Sequence, residues 1–416
     1  MEKSKQIHRI LLSVVLTGLF GSGVPSLGGG KKPNGNNPPP PTPCTEPCWH
    51  DSFVPAGAGE ITDIAIQRQP GGLMNRIVAL SNGAGILLSQ DTGKSFVWVN
   101  AGPSGSSTYN IAAGPLRPDG LGGFLPGLVQ VASGNGLYEN AQDDLTRWSK
   151  INTSRSGLPT NLRITFVGYS LSDFPSPTGD IQWDLYAVAY AGDLSVGGLY
   201  KRNSDGTWRR VTPNLNVVAI AGKIAVTKPC GGVSSGNCQG GAIWIRSQIS
   251  AQQETWSRLP DGQFGPKTMG FNDVAGGGVW GGCLATNADF SVPYGNAIFR
   301  IPPVSTLQSW DDVVPHDQVG AGGLGGYLIA YNLRYDGCGS TSSFPNIGYG
   351  GSTDEVLVGS NGEGLFRGLF SSIEWTSVLS DSNWPHVVTK WIMPYSTQDG
   401  RCLKIASEGP RIFWHR

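Results

Sequence analysis

A phrase of roughly fifty residues recurs along this chain, and no other feature limits its fold so strongly. The phrase is an apolar strand, a glycine-containing turn, a Gly-Leu-Tyr-like strand, then an aromatic that opens a last strand. It reads Ile77 to Ser81, Gly85-Ile86-Leu87 and Phe96; Leu128 to Ala132, Gly136-Leu137-Tyr138 and Trp148; and Leu185 to Ala189, Gly198-Leu199-Tyr200 and Trp208. It continues as Ile224 to Thr227, Ala242-Ile243-Trp244 and Trp256; Val279 to Ala285, Ala297-Ile298-Phe299 and Trp310; and Val356 to Gly359, Gly364-Leu365-Phe366 and Trp375. An apolar residue follows each aromatic at a fixed spacing, as Val99, Ile151, Val211, Leu259, Val313 and Val378.

Most units also open with a strand of their own, such as Ile61 to Ile66, Ile164 to Val167 and Tyr327 to Tyr331. Four short strands per unit, repeated, predict an all-β fold: a seven-bladed β-propeller with four-stranded antiparallel blades. The seventh unit supplies only Val387 to Ile392, Cys402 to Ala406 and Arg411 to Trp414 before the chain stops. Trp49-His50-Asp51-Ser52-Phe53 stands alone near the other end. Donated to the last blade, this N-terminal strand closes the ring and covers an exposed edge.

Glycine is abundant, at 61 of 416 residues, which suits tight turns such as Ser81-Asn82-Gly83-Ala84-Gly85. Charged residues are few and balanced, 30 basic against 30 acidic, so no net field recruits nucleic acid. The five histidines have no metal-ligand spacing, and no cofactor motif stands in a suitable context.

Residues 1–27 are expected to be a signal peptide or N-terminal anchor: Lys3, Lys5, His8 and Arg9 precede the apolar stretch Ile10 to Phe20, short for a membrane span. Residues 28–45 form a Pro/Gly/Asn-rich linker, and 46–416 the propeller. This predicts a secreted, periplasmic or cell-surface protein, with membrane contact only through an uncleaved anchor. Export makes disulfides the expectation for the cysteines. Cys230 with Cys238, Cys283 with Cys338, and Cys402 with Cys48 or Cys44 are the candidate pairs; Cys44 with Cys48 competes.

Ser89-Gln90-Asp91-Thr92-Gly93-Lys94-Ser95-Phe96 resembles the Asp box, S/T-x-D-x-G-x-x-W/F, of BNR-repeat propellers, and Asn203-Ser204-Asp205-Gly206-Thr207-Trp208 looks like a shortened version. That family includes sialidase-like, sortilin-like and photosystem-assembly-factor-like propellers. The resemblance implies a structural role for Ser89, Asp91, Gly93 and Phe96: side chains bond turn amides, glycine takes the strained position, and the aromatic packs between blades.

Phe299-Arg300-Ile301-Pro302 matches the FRIP signature of sialidases, whose arginine grips a substrate carboxylate. Its register argues otherwise, because Phe299 aligns with Tyr138, Tyr200 and Phe366 on a third strand. The tyrosine nucleophile with its glutamate, the arginine triad and the acid-base aspartate of sialidases are not traceable, so no catalytic residue is assigned. Gly232-Val233-Ser234-Ser235-Gly236 and Gly320-Ala321-Gly322-Gly323-Leu324-Gly325 fit nucleophile-elbow and dinucleotide patterns but lack the following helix. Asn152-Thr153-Ser154 is a glycosylation acceptor pattern for a eukaryotic host.

Long connections between second and third strands, at Tyr190 to Gly197, Lys228 to Gly240 and Asn287 to Gly295, fall on one face of the disc. They predict a binding surface with Tyr190, Phe290 and Tyr294 as anchors and Arg300 as a further candidate. The expected function is a non-catalytic module that binds or assembles an extracytoplasmic protein or glycan. A sialidase-like glycoside hydrolase is the alternative.

Overall fold

The structure, a computed structural model, describes residues 49–71, 75–99, 102–103, 106–141, 143–174, 182–190, 196–213, 216–227, 241–250, 252–262, 271–276, 283–287, 298–315, 330–335, 355–360, 365–369, 375–377, 391–396 and 402–415. The leader and linker readings and those for Cys44 and Cys48 lie outside these residues, as do Cys230, Cys238, Cys338, Phe290 and Tyr294.

Among the described residues there are seven four-stranded antiparallel sheets and one small extra hairpin. Sheet one is Ile61–Gln67, Arg76–Ser81, Gly85–Ser89 and Val97–Val99; sheet two is Thr108–Ala113, Val129–Ser133, Gly136–Ala141 and Asp144–Lys150. Sheet three is Arg163–Leu171, Trp183–Tyr190, Gly198–Arg202 and Trp208–Pro213; sheet four is Val217–Ala221, Ile224–Thr227, Ile243–Ser250 and Gln253–Arg258. Sheet five is Phe271–Gly276, Cys283–Asn287, Ile298–Ile301 and Val314–Pro315; sheet six is Ala330–Tyr335, Glu355–Ser360, Leu365–Leu369 and Trp375–Ser377. Sheet seven is Trp391–Ser396, Cys402–Glu408 and Arg411–His415, with Trp49–Asp51 paired to Arg411–His415 in the register Asp51 to Phe413. The only described helix is a 3-10 turn, Trp310–Asp312, closed by a capping box between Ser309 and Asp312.

The first strands carry a shared irregularity that the strand pattern does not announce. In sheets one to six the first strand is bulged near its start, as between Ile61 and Asp63, Thr108 and Asn110, or Phe271 and Asp273. In sheets one and two the residue after the bulge, Asp63 or Asn110, bonds to the next sheet. Asp63 Oδ2 accepts from Asn110 Nδ2 at 2.7 Å and from the Ile111 amide at 2.9 Å, and Asn110 Oδ1 accepts from the Val167 amide at 2.7 Å. The first strands of sheets one, two and three therefore run side by side in one direction.

Apolar packing follows the same neighbour relation. Phe96 is buried between sheet one and Ile405 and Ile412 of sheet seven; Trp208 meets Ala132 and Leu137 of sheet two; and Trp256 meets Phe166, Tyr186 and Leu199 of sheet three. Phe96, Trp208 and Trp256 thus each seal their own sheet against the one before it, with burial contributing about 1.5–3 kcal/mol per side chain. Because a sheet has a neighbour on both faces, its central strands are apolar almost throughout, as in the fully buried Gly85–Ser89.

Candidate functional site

The turn Ser89–Phe96 is closed by its own side chains. Ser89 Oγ accepts from the Gly93 amide at 2.9 Å, and Asp91 Oδ1 accepts from the Ser95 amide at 2.9 Å while Oδ2 takes the Ser95 hydroxyl. Partial burial pushes the Asp91 carboxyl up, but the bonds from Ser95 and Ser89 outweigh it and hold the group below its ordinary range. Gly93 sits at φ +89°, and a Cβ there would lie 2.5 Å from Ile405 Cδ1. Sequence reading did not show what the turn grips. Ser52 Oγ donates to the Gly93 carbonyl at 2.5 Å, the Phe53 amide to the Lys94 carbonyl at 2.9 Å, and the Phe96 amide to the Phe53 carbonyl at 2.8 Å. The turn holds the segment that has just left sheet seven.

Between sheets three and four lies a charged cluster that sequence reasoning missed. Lys201 Nζ contacts Asp184 Oδ2 at 2.8 Å and Glu254 Oε2 at 2.9 Å. The Tyr186 hydroxyl donates to Glu254 Oε2 at 3.0 Å, and Trp256 Nε1 donates to Glu254 Oε1 at 2.9 Å. Arg246 donates from Nη1 to the Tyr186 oxygen at 3.0 Å and from Nη2 to the Leu171 carbonyl, and its Nη2 lies 3.4 Å from Asp173. Tyr186 is 0% exposed, Arg246 2% and Glu254 7%. Burial raises the Tyr186 hydroxyl well above its usual pKa and also pushes Asp184 up, against the pull of Lys201 and Arg246.

A tyrosine bonded to a glutamate beside an arginine is the arrangement a tyrosine nucleophile requires. Here all three are sealed from solvent, so no substrate reaches the hydroxyl and the cluster ties sheets together. Its residues occupy ordinary strand positions, which is why no motif marked them.

Arg300 falls on the third strand of sheet five, with its backbone opposite Leu284; the same register in sheet three holds Lys201, opposite Tyr186. FRIP thus coincides with the repeat. The side chains of Arg300, Cys283 and Cys402 lie outside the description, although their strands are within it. Tyr190 ends the second strand of sheet three, where the Arg163 guanidinium stands 4.4 Å from its ring centre.

The glycosylation reading of Asn152 is corrected by its burial: the residue is 1% exposed. Its Oδ1 accepts from the Leu137 amide at 3.1 Å, and Nδ2 donates to the Pro159 carbonyl at 3.1 Å. The amide is committed to folding and is not open to a glycan transferase. Asp144 and Asp312 serve turns, accepting from the Thr146 and Gln308 amides.

The connection between the first two strands of sheet two holds the extra hairpin, Arg117–Pro118 paired with Phe124–Leu125. Leu121 is 93% exposed, Phe124 56% and Leu125 38%. A shallow cleft of about 590 Å³ lies elsewhere, against Leu88, Val97, Val99 and Thr146 at the outer strands of sheets one and two.

No protein-family model matches the sequence, and no curated protein matches it. Solved structures do. The fold is similar to YCF48 from Cyanidioschyzon merolae, with a TM-score of 0.54 and 12% identity, covering 89% of this chain and 99% of that one. It is similar to a structure described as YCF48 bound to D1 peptide, at TM-score 0.52 and 10% identity, covering 90% and 97%. A third is the BT3049 extracellular domain from B. thetaiotaomicron, at TM-score 0.51 and 10% identity, covering 88% of this chain and 41% of that one. At such identities the likeness concerns the fold, and with the side-by-side first strands it makes this chain a β-propeller protein.

Proposed function

We propose that this protein is a non-catalytic β-propeller that binds or assembles a protein partner outside the cytoplasm, its seven sheets forming one ring completed by Trp49–Asp51. The observation that carries the non-catalytic reading is the sealing of Tyr186, Glu254 and Arg246, the constellation with the right chemistry and no access. Ring closure is supported by the pairing of Trp49–Asp51 with Arg411–His415 and by the grip of the Ser89–Phe96 turn on Ser52 and Phe53. Binding is supported by the similarity of the fold to a propeller whose structure contains a bound peptide. The extracytoplasmic location is supported by the leader-like residues 1–27 and by the likeness to an extracellular domain.

The binding surface of this reading is the face carrying the second-to-third strand connections of sheets three to five, with Tyr190, Phe290, Tyr294 and Arg300. In cross-linking to its native envelope, the triple variant Tyr190→Ala, Phe290→Ala, Tyr294→Ala should lose the partner while unfolding at the wild-type midpoint. Retained capture by that variant rejects the surface. Turnover of any member of a glycoside reporter panel, abolished in Arg300→Ala, rejects the non-catalytic reading, and binding on a glycan array without turnover replaces the protein partner with a sugar.

A further inference from the structure

The hairpin Arg117–Leu125 is built to stand in an apolar medium. Its exposed side chains Leu121, Phe124 and Leu125 lie within five residues of one projecting element. Its tip amides are satisfied from within: Asp119 Oδ1 accepts from the Leu121 amide at 2.7 Å and the Gly123 amide at 2.8 Å, and the Asp119 amide donates to the Gly123 carbonyl at 3.1 Å. The Leu121 and Gly123 amides need no water, while the Asp119 carboxylate keeps the tip at headgroup level. The base is fixed. Arg117 Nε donates to the Pro126 carbonyl at 3.0 Å, Gln67 Nε2 donates to the Gly127 carbonyl at 2.8 Å, and a Cβ on Gly127 would lie 1.9 Å from the Gly114 carbonyl oxygen.

The direction of the chain says what this face meets. The hairpin belongs to a first-to-second strand connection. In sheet seven the corresponding end is marked by Ser396 and Cys402, and Arg411–His415 runs back toward it, so Trp49, opposite His415, lies at that end too. The preceding chain therefore joins the propeller on the side where the hairpin stands. That chain carries the basic residues Lys3, Lys5 and Arg9, the apolar stretch Ile10 to Phe20, and 28 further residues before Trp49. Those 28 residues reach at most about 100 Å and on average roughly 30 Å, enough for both elements to meet one bilayer.

We propose that the hairpin is a membrane-seating wedge: Leu121, Phe124 and Leu125 enter the boundary between headgroups and acyl chains of a lipid bilayer and orient the propeller with this face down. The opposite face, with Tyr190, is then presented away from the lipid. The proposal does not depend on the identity of any protein partner. The seating comes from the three apolar side chains, so a zwitterionic lipid is the probe.

The test uses the full chain with phosphatidylcholine vesicles containing a phospholipid that bears a photoactivatable acyl chain, followed by peptide mapping of the adducts. Adducts are expected within Leu121 to Leu125. They should fall on the order of tenfold in the double variant Leu121→Ser, Phe124→Ser, while those within Ile10 to Phe20 and the unfolding midpoint stay unchanged. Adducts on Ile10 to Phe20 with none on the hairpin overturn the proposal. So does a vesicle-independent dimer, or a cross-link to another protein, that the double variant loses while the hairpin gains no lipid.

Discussion

Two junctions in this molecule use ion pairs of nearly equal length in opposite surroundings. Between sheets three and four, Lys201 meets Glu254 at 2.9 Å with the two side chains 4% and 0% exposed. Where Trp49–Asp51 joins sheet seven, Arg411 meets Asp51 at 2.9 Å with the side chains 49% and 62% exposed. Water screens the second pair, which contributes about 0–1 kcal/mol. Breaking the first strands charges where water does not follow, at about 3–5 kcal/mol. Distance does not rank the two contacts. The surroundings do, and the exposed junction is held instead by backbone bonds and by the Ser89–Phe96 turn.

The sharpest way to break this contrast is Glu254→Ala, which leaves Lys201, the Tyr186 hydroxyl and Trp256 Nε1 facing a void. A loss of about 3–5 kcal/mol in urea unfolding is expected, and a loss below about 1 kcal/mol would equate the buried cluster with a surface pair. Lys201→Met with Glu254→Leu should recover part of that loss, because paired apolar groups avoid the desolvation cost.

Next in size is Asp63→Ala at the junction of sheets one and two. Asp63 is 2% exposed and accepts from Asn110, Ile111 and Ile64, so about 2–3 kcal/mol should disappear, with amide exchange of Ile111 rising accordingly. Gly93→Ala forces a Cβ against Ile405 and Ile77 at positive φ, and about 1–3 kcal/mol is expected from the thermal midpoint. Arg411→Ala should cost about 1 kcal/mol or less, and added salt should shrink the difference.

The smallest effect is the acid response of the turn. The folded Asp91 pKa lies below its ordinary 3.8, so the stability it adds is present above that value and is lost as pH falls through the lower, folded pKa. Asp91→Asn should cost stability at neutral pH, and that deficit should shrink as pH falls below about 4. A deficit that grew on acidification would contradict the sign.

Much of the architecture was legible because it repeats. Phe96, Trp208 and Trp256 recur with the Gly-Leu-Tyr-like strands, and spacing of that kind survives without tertiary knowledge. The candidate site was less legible. No motif in the sequence marks Lys201, Arg246 and Glu254 as buried partners, or the segment around Leu121 as a projecting hairpin.

By itself the sequence determined the local grammar: short β-strands, glycine turns, an aromatic at the opening of each last strand, and a self-contained turn at Ser89–Phe96. Each of these depends on residues close together in the chain. Only the tertiary structure decided which polar groups are buried, because the partners come from a neighbouring sheet far away in the chain, and alternation along one strand cannot say which charge will meet its partner there. Asp63 reaching Asn110, Lys201 reaching Glu254 and Ser52 reaching Gly93 are all choices of that kind.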